Sequence, residues 1–126
     1  MSVQKDAADR LKNLVETNDP ALVPTVYAEE ATIWHNTDGI EISATQLAEI
    51  LTAIRAAATC QVTVEDYFET DAGFIQVQTN KYTINNGSTA EFQAALVVDV
   101  DASGRISRVR EYLDSVGLAP LLSALA

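Results

Sequence analysis

Cysteine, histidine and tryptophan each occur once in this chain of 126 residues, and Lys and Arg together number eight against 18 Asp and Glu. Each scarcity excludes something. A single cysteine, Cys60, permits no internal disulfide. One His with one Cys cannot build a usual zinc site, and no acidic calcium or magnesium loop is present, so no metal is expected. The formal charge of -10, with its few basic residues scattered, argues against nucleic acid and anionic membrane surfaces, which require clustered Lys and Arg. No apolar run approaches the roughly 20 residues of a membrane span, and Met1-Ser2-Val3-Gln4-Lys5-Asp6 lacks the apolar stretch of a signal peptide, so a cytoplasmic location is expected. There is no Gly-x-Ser-x-Gly elbow, phosphate loop or dinucleotide fingerprint, and no organic cofactor is implied. Repeats, linkers and low-complexity tracts are also missing.

What is present is apolar and patterned. Hydrophobic residues make up 48% of the chain, enough for one domain over 1–126 with a substantial core. Val3, Ala7, Leu11, Leu14 and Val15 recur at helical spacing and predict an amphipathic helix over 3–17. Asn18-Asp19-Pro20 stops it and starts a short second helix ending near Tyr27, with Asp19 as N-cap and Pro20 at the first helical position. Residues 31–36 read as a strand, after which Thr37-Asp38-Gly39 turns the chain away. Ser43-Ala44-Thr45-Gln46 has capping-box spacing, and Leu47, Ile50, Leu51 and Ile54 give the following helix its stripe as far as Ala57.

From Gln61 the period changes to two. Segments 62–68, 74–84, 90–100 and 105–113, separated by turn residues such as Asn85-Asn86-Gly87, predict a four-stranded antiparallel meander. The tail, with Leu118, Leu121, Leu122 and Leu125, predicts a short covering helix. The order of elements is an α+β layout in which helices pack on one face of a curved sheet.

The residues that can carry chemistry lie on two of these strands. In 31–36, Ile33 and His35 face one way while Thr32, Trp34 and Asn36 face the other. His35 reads either as a general acid or base, with an ordinary pKa near 6.5, or as a neutral hydrogen-bonded residue of a core strand. Glu111 lies between Val109 and Leu113, a position that calls for a cavity or a partner; the partner is His35, or an Arg such as Arg108 or Arg110 at an edge. Asp114, ending that strand, is either a pocket acid or the cap of the last helix. Trp34, Asn36, Tyr82 and Tyr112 are the candidate substrate contacts, and Trp34 reads equally as a large core or interface residue. Tyr82 shares a face with Phe74, Gln76, Gln78 and Asn80, suited to an oxygenated ring compound and equally to a wet dimer interface. Cys60, between an Ala-rich helix end and an apolar strand, reads as a buried structural thiol ahead of a nucleophile paired with His35.

The stretch Tyr27-Ala28-Glu29-Glu30-Ala31-Thr32-Ile33-Trp34-His35-Asn36, the run from Gly104-Arg105-Ile106 to Glu111-Tyr112-Leu113-Asp114, and the order of elements resemble the nuclear transport factor 2-like superfamily, and within it the small SnoaL-like proteins. The resemblance covers nearly the whole chain. It implies a cone-shaped, mainly antiparallel half-barrel with three helices from the N-terminal half and a short C-terminal helix enclosing a pocket. It also implies a homodimer formed through the outer sheet face. Relatives include polyketide cyclases, ketosteroid isomerase, limonene epoxide hydrolase and scytalone dehydratase, so the implied activity is cofactor-free acid/base chemistry on a polyketide-, steroid- or terpenoid-like molecule, small, apolar and oxygenated. The alternative is a ligand-binding or dimerisation module without catalysis. Aligned at Ala31-Thr32-Ile33, the catalytic base of ketosteroid isomerase falls on His35. The two oxyanion donors of that enzyme fall on Leu11 and near Leu96, which cannot donate, so ordinary steroid isomerisation is not expected.

Overall fold

The computed structural model describes residues 2–126, and its first helix, α1 (Val3–Thr17), begins where the Ser2 hydroxyl accepts the Lys5 N–H at 2.9 Å. Its apolar stripe buries Ala7, Ala8, Leu11 and Leu14, and each fully buried Leu stabilises the fold by about 1.5–3 kcal/mol relative to exposure. Glu16 ties the helix to the sheet: its carboxylate accepts the Val62 N–H at 3.0 Å and pairs with Lys12 at 2.9 Å. The helix stops at Asn18, which takes the left-handed conformation (φ 50°) and donates its backbone N–H to the Leu14 carbonyl at 2.7 Å. Asn adopts that conformation more readily than other residues with a side chain.

Asp19 caps a 3-10 turn (Pro20–Leu22) that leads through the single-turn α2 (Val23–Val26) into β1 (Tyr27–His35). The strand therefore begins at Tyr27, not at Ala31, because Tyr27 is already extended (φ −107°, ψ 141°). Thr37-Asp38-Gly39 does not send the chain away from β1; it folds it back. Gly39 (φ 67°) donates its N–H to the His35 carbonyl at 3.0 Å, and the short β2 (Glu41–Ser43) pairs antiparallel with β1. Three residues with one apolar side chain carry no readable period. In α3 (Ala44–Ala57) the capping box is fully formed: the Gln46 N–H reaches the Ser43 hydroxyl at 3.2 Å and the Gln46 side chain accepts the Ser43 N–H at 2.9 Å.

The meander is β3 (Ala58–Glu69), β4 (Gly73–Ile84), β5 (Thr89–Val100) and β6 (Ile106–Leu113), and α4 (Ser115–Leu125) comes after it. One sheet holds all six strands in the order β2-β1-β6-β5-β4-β3, with β1 parallel to β6 and every other neighbour antiparallel. Helices α1, α3 and α4 lie against β3, β1 and β5 respectively. α4 docks closely at Gly117, where a Cβ would stand 2.5 Å from the Glu91 carbonyl oxygen. Among the described residues no helix is long and apolar enough to cross a membrane.

One irregularity in β1 decides which residues meet across the β1–β6 pair. Tyr27 is opposite Ile106, an offset of 79, whereas Thr32 is opposite Arg108 and His35 opposite Glu111, an offset of 76. Five residues on β1 thus span what two span on β6, and the three extra are absorbed as a bulge before Thr32.

Candidate active site

The β1–β6 register puts His35 and Glu111 side by side on the face that lines the cavity, and the imidazole Nε2 stands 2.7 Å from Glu111 Oε1. Both are mostly withdrawn from water, with side chains 28% and 14% exposed. A carboxylate can only accept, so Nε2 carries its hydrogen and donates it to Oε1, leaving Nδ1 as the nitrogen free for other work. Burial lowers the pKa of His35. The hydrogen bond and charge of Glu111, with the charge of Asp38, raise it by more, and the net effect is upward from the ordinary 6.5.

This pair forms part of the wall of a largely apolar cavity of about 230 Å³. Its lining draws on both buried clusters of the core: Leu11, Leu14, Ile33 and Val109 from one, Ile54, Tyr82, Phe92 and Leu121 from the other. The exposed lining residues Thr37, Asp38, Ile50 and Leu122 mark its opening. Polar groups are few. Tyr27 and Tyr82 are buried lining residues whose phenols are pushed up, by burial first, then at Tyr27 by the charge of Glu111 and at Tyr82 by the neighbouring Cys60 and by Glu111, and they remain O–H donors at neutral pH. Asn80 terminates a ladder of buried amides along β4, in which Gln76 Nε2 donates to Gln78 Oε1 and Gln78 Nε2 to Asn80 Oδ1, each at 2.8 Å. Asn18 completes the set.

The other candidate residues lie elsewhere. Asp114 caps α4, accepting the Val116 N–H at 3.0 Å, and is not among the cavity's lining residues. Asn36 joins β1 to β6: its side chain donates to the Leu113 carbonyl at 3.2 Å and accepts the Leu113 N–H at 2.9 Å. Trp34 packs edge-on against Tyr112 with centroids 5.3 Å apart, and strand alternation puts both on the face opposite His35 and Glu111. Of the four candidate substrate contacts only Tyr82 lines the cavity. Cys60 is half-buried, and burial pushes its thiol up to about 11, which keeps it protonated and a poor nucleophile. Leu11, on the expected position of one oxyanion donor, does line the cavity, whereas Leu96 is packed into the core. Among the described residues no three His, Cys, Asp or Glu side chains gather as a metal site.

Sequence reasoning missed Tyr27 and Asn18 as cavity groups. Tyr27 precedes a bulge that no local pattern announces, and Asn18 sits in a stretch whose helix-stop reading is sufficient by itself.

No family model matches the sequence, and no curated protein matches it. Solved structures do. Delta 5-3-ketosteroid isomerase from Mycobacterium sp. has a TM-score of 0.80 at 19% identity over 93% of this chain and 97% of that one. An M. tuberculosis LEH-like epoxide hydrolase has a TM-score of 0.76 at 20% identity, covering 95% and 90%. An NTF2-like protein of unknown function from Burkholderia pseudomallei has a TM-score of 0.77 at 13% identity, covering 100% and 99%. At these identities the likeness is one of architecture, and with the α+β layout, the six-stranded curved sheet and the cavity beneath its helices it establishes that the chain has the nuclear transport factor 2-like fold.

Proposed function

We propose that this protein is a cofactor-independent acid/base enzyme that moves a proton on a small, largely apolar, oxygenated molecule of the polyketide, steroid or terpenoid kind. The observation that carries the reading is the His35–Glu111 pair at 2.7 Å in the wall of an apolar cavity. A histidine that only braced a filled core would not need a carboxylate beside it at the edge of a hollow.

In this reading Nδ1 of His35 takes a proton from carbon next to a carbonyl, the C–H electron pair passes into an enolate, and Glu111 stabilises the imidazolium that forms. The carboxylate fixes the tautomer and the charge without itself being protonated. Leu11 and Leu96 cannot supply the hydrogen bond to the enolate oxygen. Tyr27 and Tyr82 can, because burial keeps their O–H groups intact. Return of the proton to a different carbon completes an isomerisation; bond formation or loss of hydroxide from the enolate gives cyclisation or dehydration. Asp114 has no part in this scheme. The outer face that carries Trp34 and Tyr112, the latter 41% exposed, is the surface we assign to homodimer formation, and sedimentation equilibrium returning a monomer mass overturns that assignment.

The test uses 2-tetralone, a bicyclic ketone with acidic α-hydrogens, in D2O. Wild type accelerates deuterium incorporation over buffer, and His35→Gln loses about 100-fold or more of the acceleration, the usual scale for a general base. If wild type binds the ketone without accelerating exchange, the protein is a ligand-binding module.

A further inference from the structure

Among the described residues, the buried side-chain polar atom left without a hydrogen-bond partner is Asn18 Oδ1. Asn18 is 2% exposed and lines the cavity. An unpaired buried amide oxygen costs roughly 1–3 kcal/mol, and nothing about the backbone requires it. The left-handed geometry at this position (φ 50°) suits Gly at least as well, and Gly would remove the orphaned oxygen altogether. The amide is therefore a polar group kept in the wall of a largely apolar cavity.

We propose that Asn18 is a specificity-determining residue, whose amide oxygen accepts a hydrogen bond from a hydroxyl group on the otherwise apolar ligand. The proposal rests on the cavity being a ligand site, and it narrows the ligand class. The molecule carries a hydroxyl as well as the oxygen at its reacting end, so that one group meets Asn18 while the other meets the His35 wall. Such a ligand is held at two points, which fixes which of its carbons lies against Nδ1. A hydrocarbon of the same shape loses the anchor, because a buried acceptor left unpaired penalises any ligand that cannot donate to it.

The experiment compares naphthalene with 2-naphthol, followed by fluorescence, on wild type and Asn18→Gly. The variant suits the left-handed backbone and deletes the amide together with its single methylene. The expected result is that Asn18→Gly binds 2-naphthol about fivefold to tenfold more weakly than wild type does, the value of one neutral hydrogen bond, while naphthalene binding changes by no more than about twofold. The wild-type protein provides a second readout that needs no variant: the Asn18 side-chain NH2 resonances move with 2-naphthol, and more than they move with naphthalene. Unchanged 2-naphthol affinity in Asn18→Gly, or Asn18 resonances that respond alike to both probes, overturns the assignment and leaves the cavity reading standing. If wild type binds neither probe, the cavity reading itself fails and this inference falls with it.

Discussion

Replacing Glu111 by Gln removes a charge from the wall of the cavity and keeps both the shape and a carbonyl oxygen that can still accept from His35 Nε2, so the variant isolates the electrostatic part of the pair. Its size can be bounded from the geometry. At an N–O distance of 2.7 Å a hydrogen bond to a charged group contributes about 1.5–3 kcal/mol, and the side-chain exposure of 28% at His35 argues for the lower end, because water screens part of the attraction. A loss of about 1.5 kcal/mol is roughly a tenfold fall in the proton affinity of the imidazole. Burial, which already acts to lower the pKa and is overcome in the wild type chiefly by Glu111, then dominates. The assay is proton NMR titration of the ring Hε1, and a single histidine in the sequence makes its assignment direct. Asp38→Asn serves as the comparison: Asp38 is exposed and acts on the ring through charge alone, so it moves the curve in the same direction by less. If the wild-type and Glu111→Gln curves coincide, the pair is not coupled and the proposed base has lost its partner.

The same linkage predicts the pH dependence of stability. His35 has a folded-state pKa above its unfolded value, so the stability it contributes is complete below about pH 6.5 and is lost as pH rises through the folded pKa; in Glu111→Gln the slope attributable to this group reverses, as checked by urea denaturation between pH 5.5 and 8.5. Under the enzyme reading, exchange into 2-tetralone rises with pH through that same raised pKa, since only neutral His35 accepts a proton. Gln78→Leu removes the middle of the buried amide ladder and strands both the Gln76 donor and the Asn80 acceptor; we expect a loss of about 2–4 kcal/mol in urea denaturation, and a near-neutral variant refutes the ladder. Gly117→Ala drives a Cβ into the Glu91 carbonyl, 2.5 Å away, and into Phe92 Cβ, 2.8 Å away; it costs about 1–3 kcal/mol and raises hydrogen exchange across 115–125, and unchanged exchange there means that α4 does not depend on this contact.

How far the sequence could be read depended on whether local signals agreed. α3 was legible because its capping residues and its apolar stripe specify the same boundaries, and the meander because four period-two runs are punctuated by turn residues. β2 was not, since Glu41-Ile42-Ser43 is too short to show a period. Within the site, strand alternation correctly set Ile33 and His35 on one face, and the same alternation already placed Trp34 opposite His35 and Tyr112 opposite Glu111. Reading those two as substrate contacts weighed aromatic character above geometry. Asn36 lies one residue past the strand, where its side chain is engaged in two hydrogen bonds with the backbone of Leu113.

The partner of His35 is the instructive case. Two acids, Glu111 and Asp114, stand near the end of the last strand; sequence pattern pairs Glu111 with His35 or with an Arg, and reads Asp114 as a pocket acid or a helix cap. Carrying the Tyr27–Ile106 offset of 79 along β1 without interruption would bring His35 level with Asp114. The bulge lowers the offset to 76 and brings it level with Glu111 instead. Three extra residues in Ala28–Ala31, a stretch that carries two exposed glutamates and no period of its own, therefore decide which carboxylate joins the imidazole and which is left free to cap α4. Pairing geometry of this kind is fixed by how β1 lies against β6, 70 and more residues apart in the chain; the position of Glu111 on its strand face suggests a partner, but the register that delivers His35 to it is not readable from either strand alone. The division of labour between the two acids is a property of the sheet.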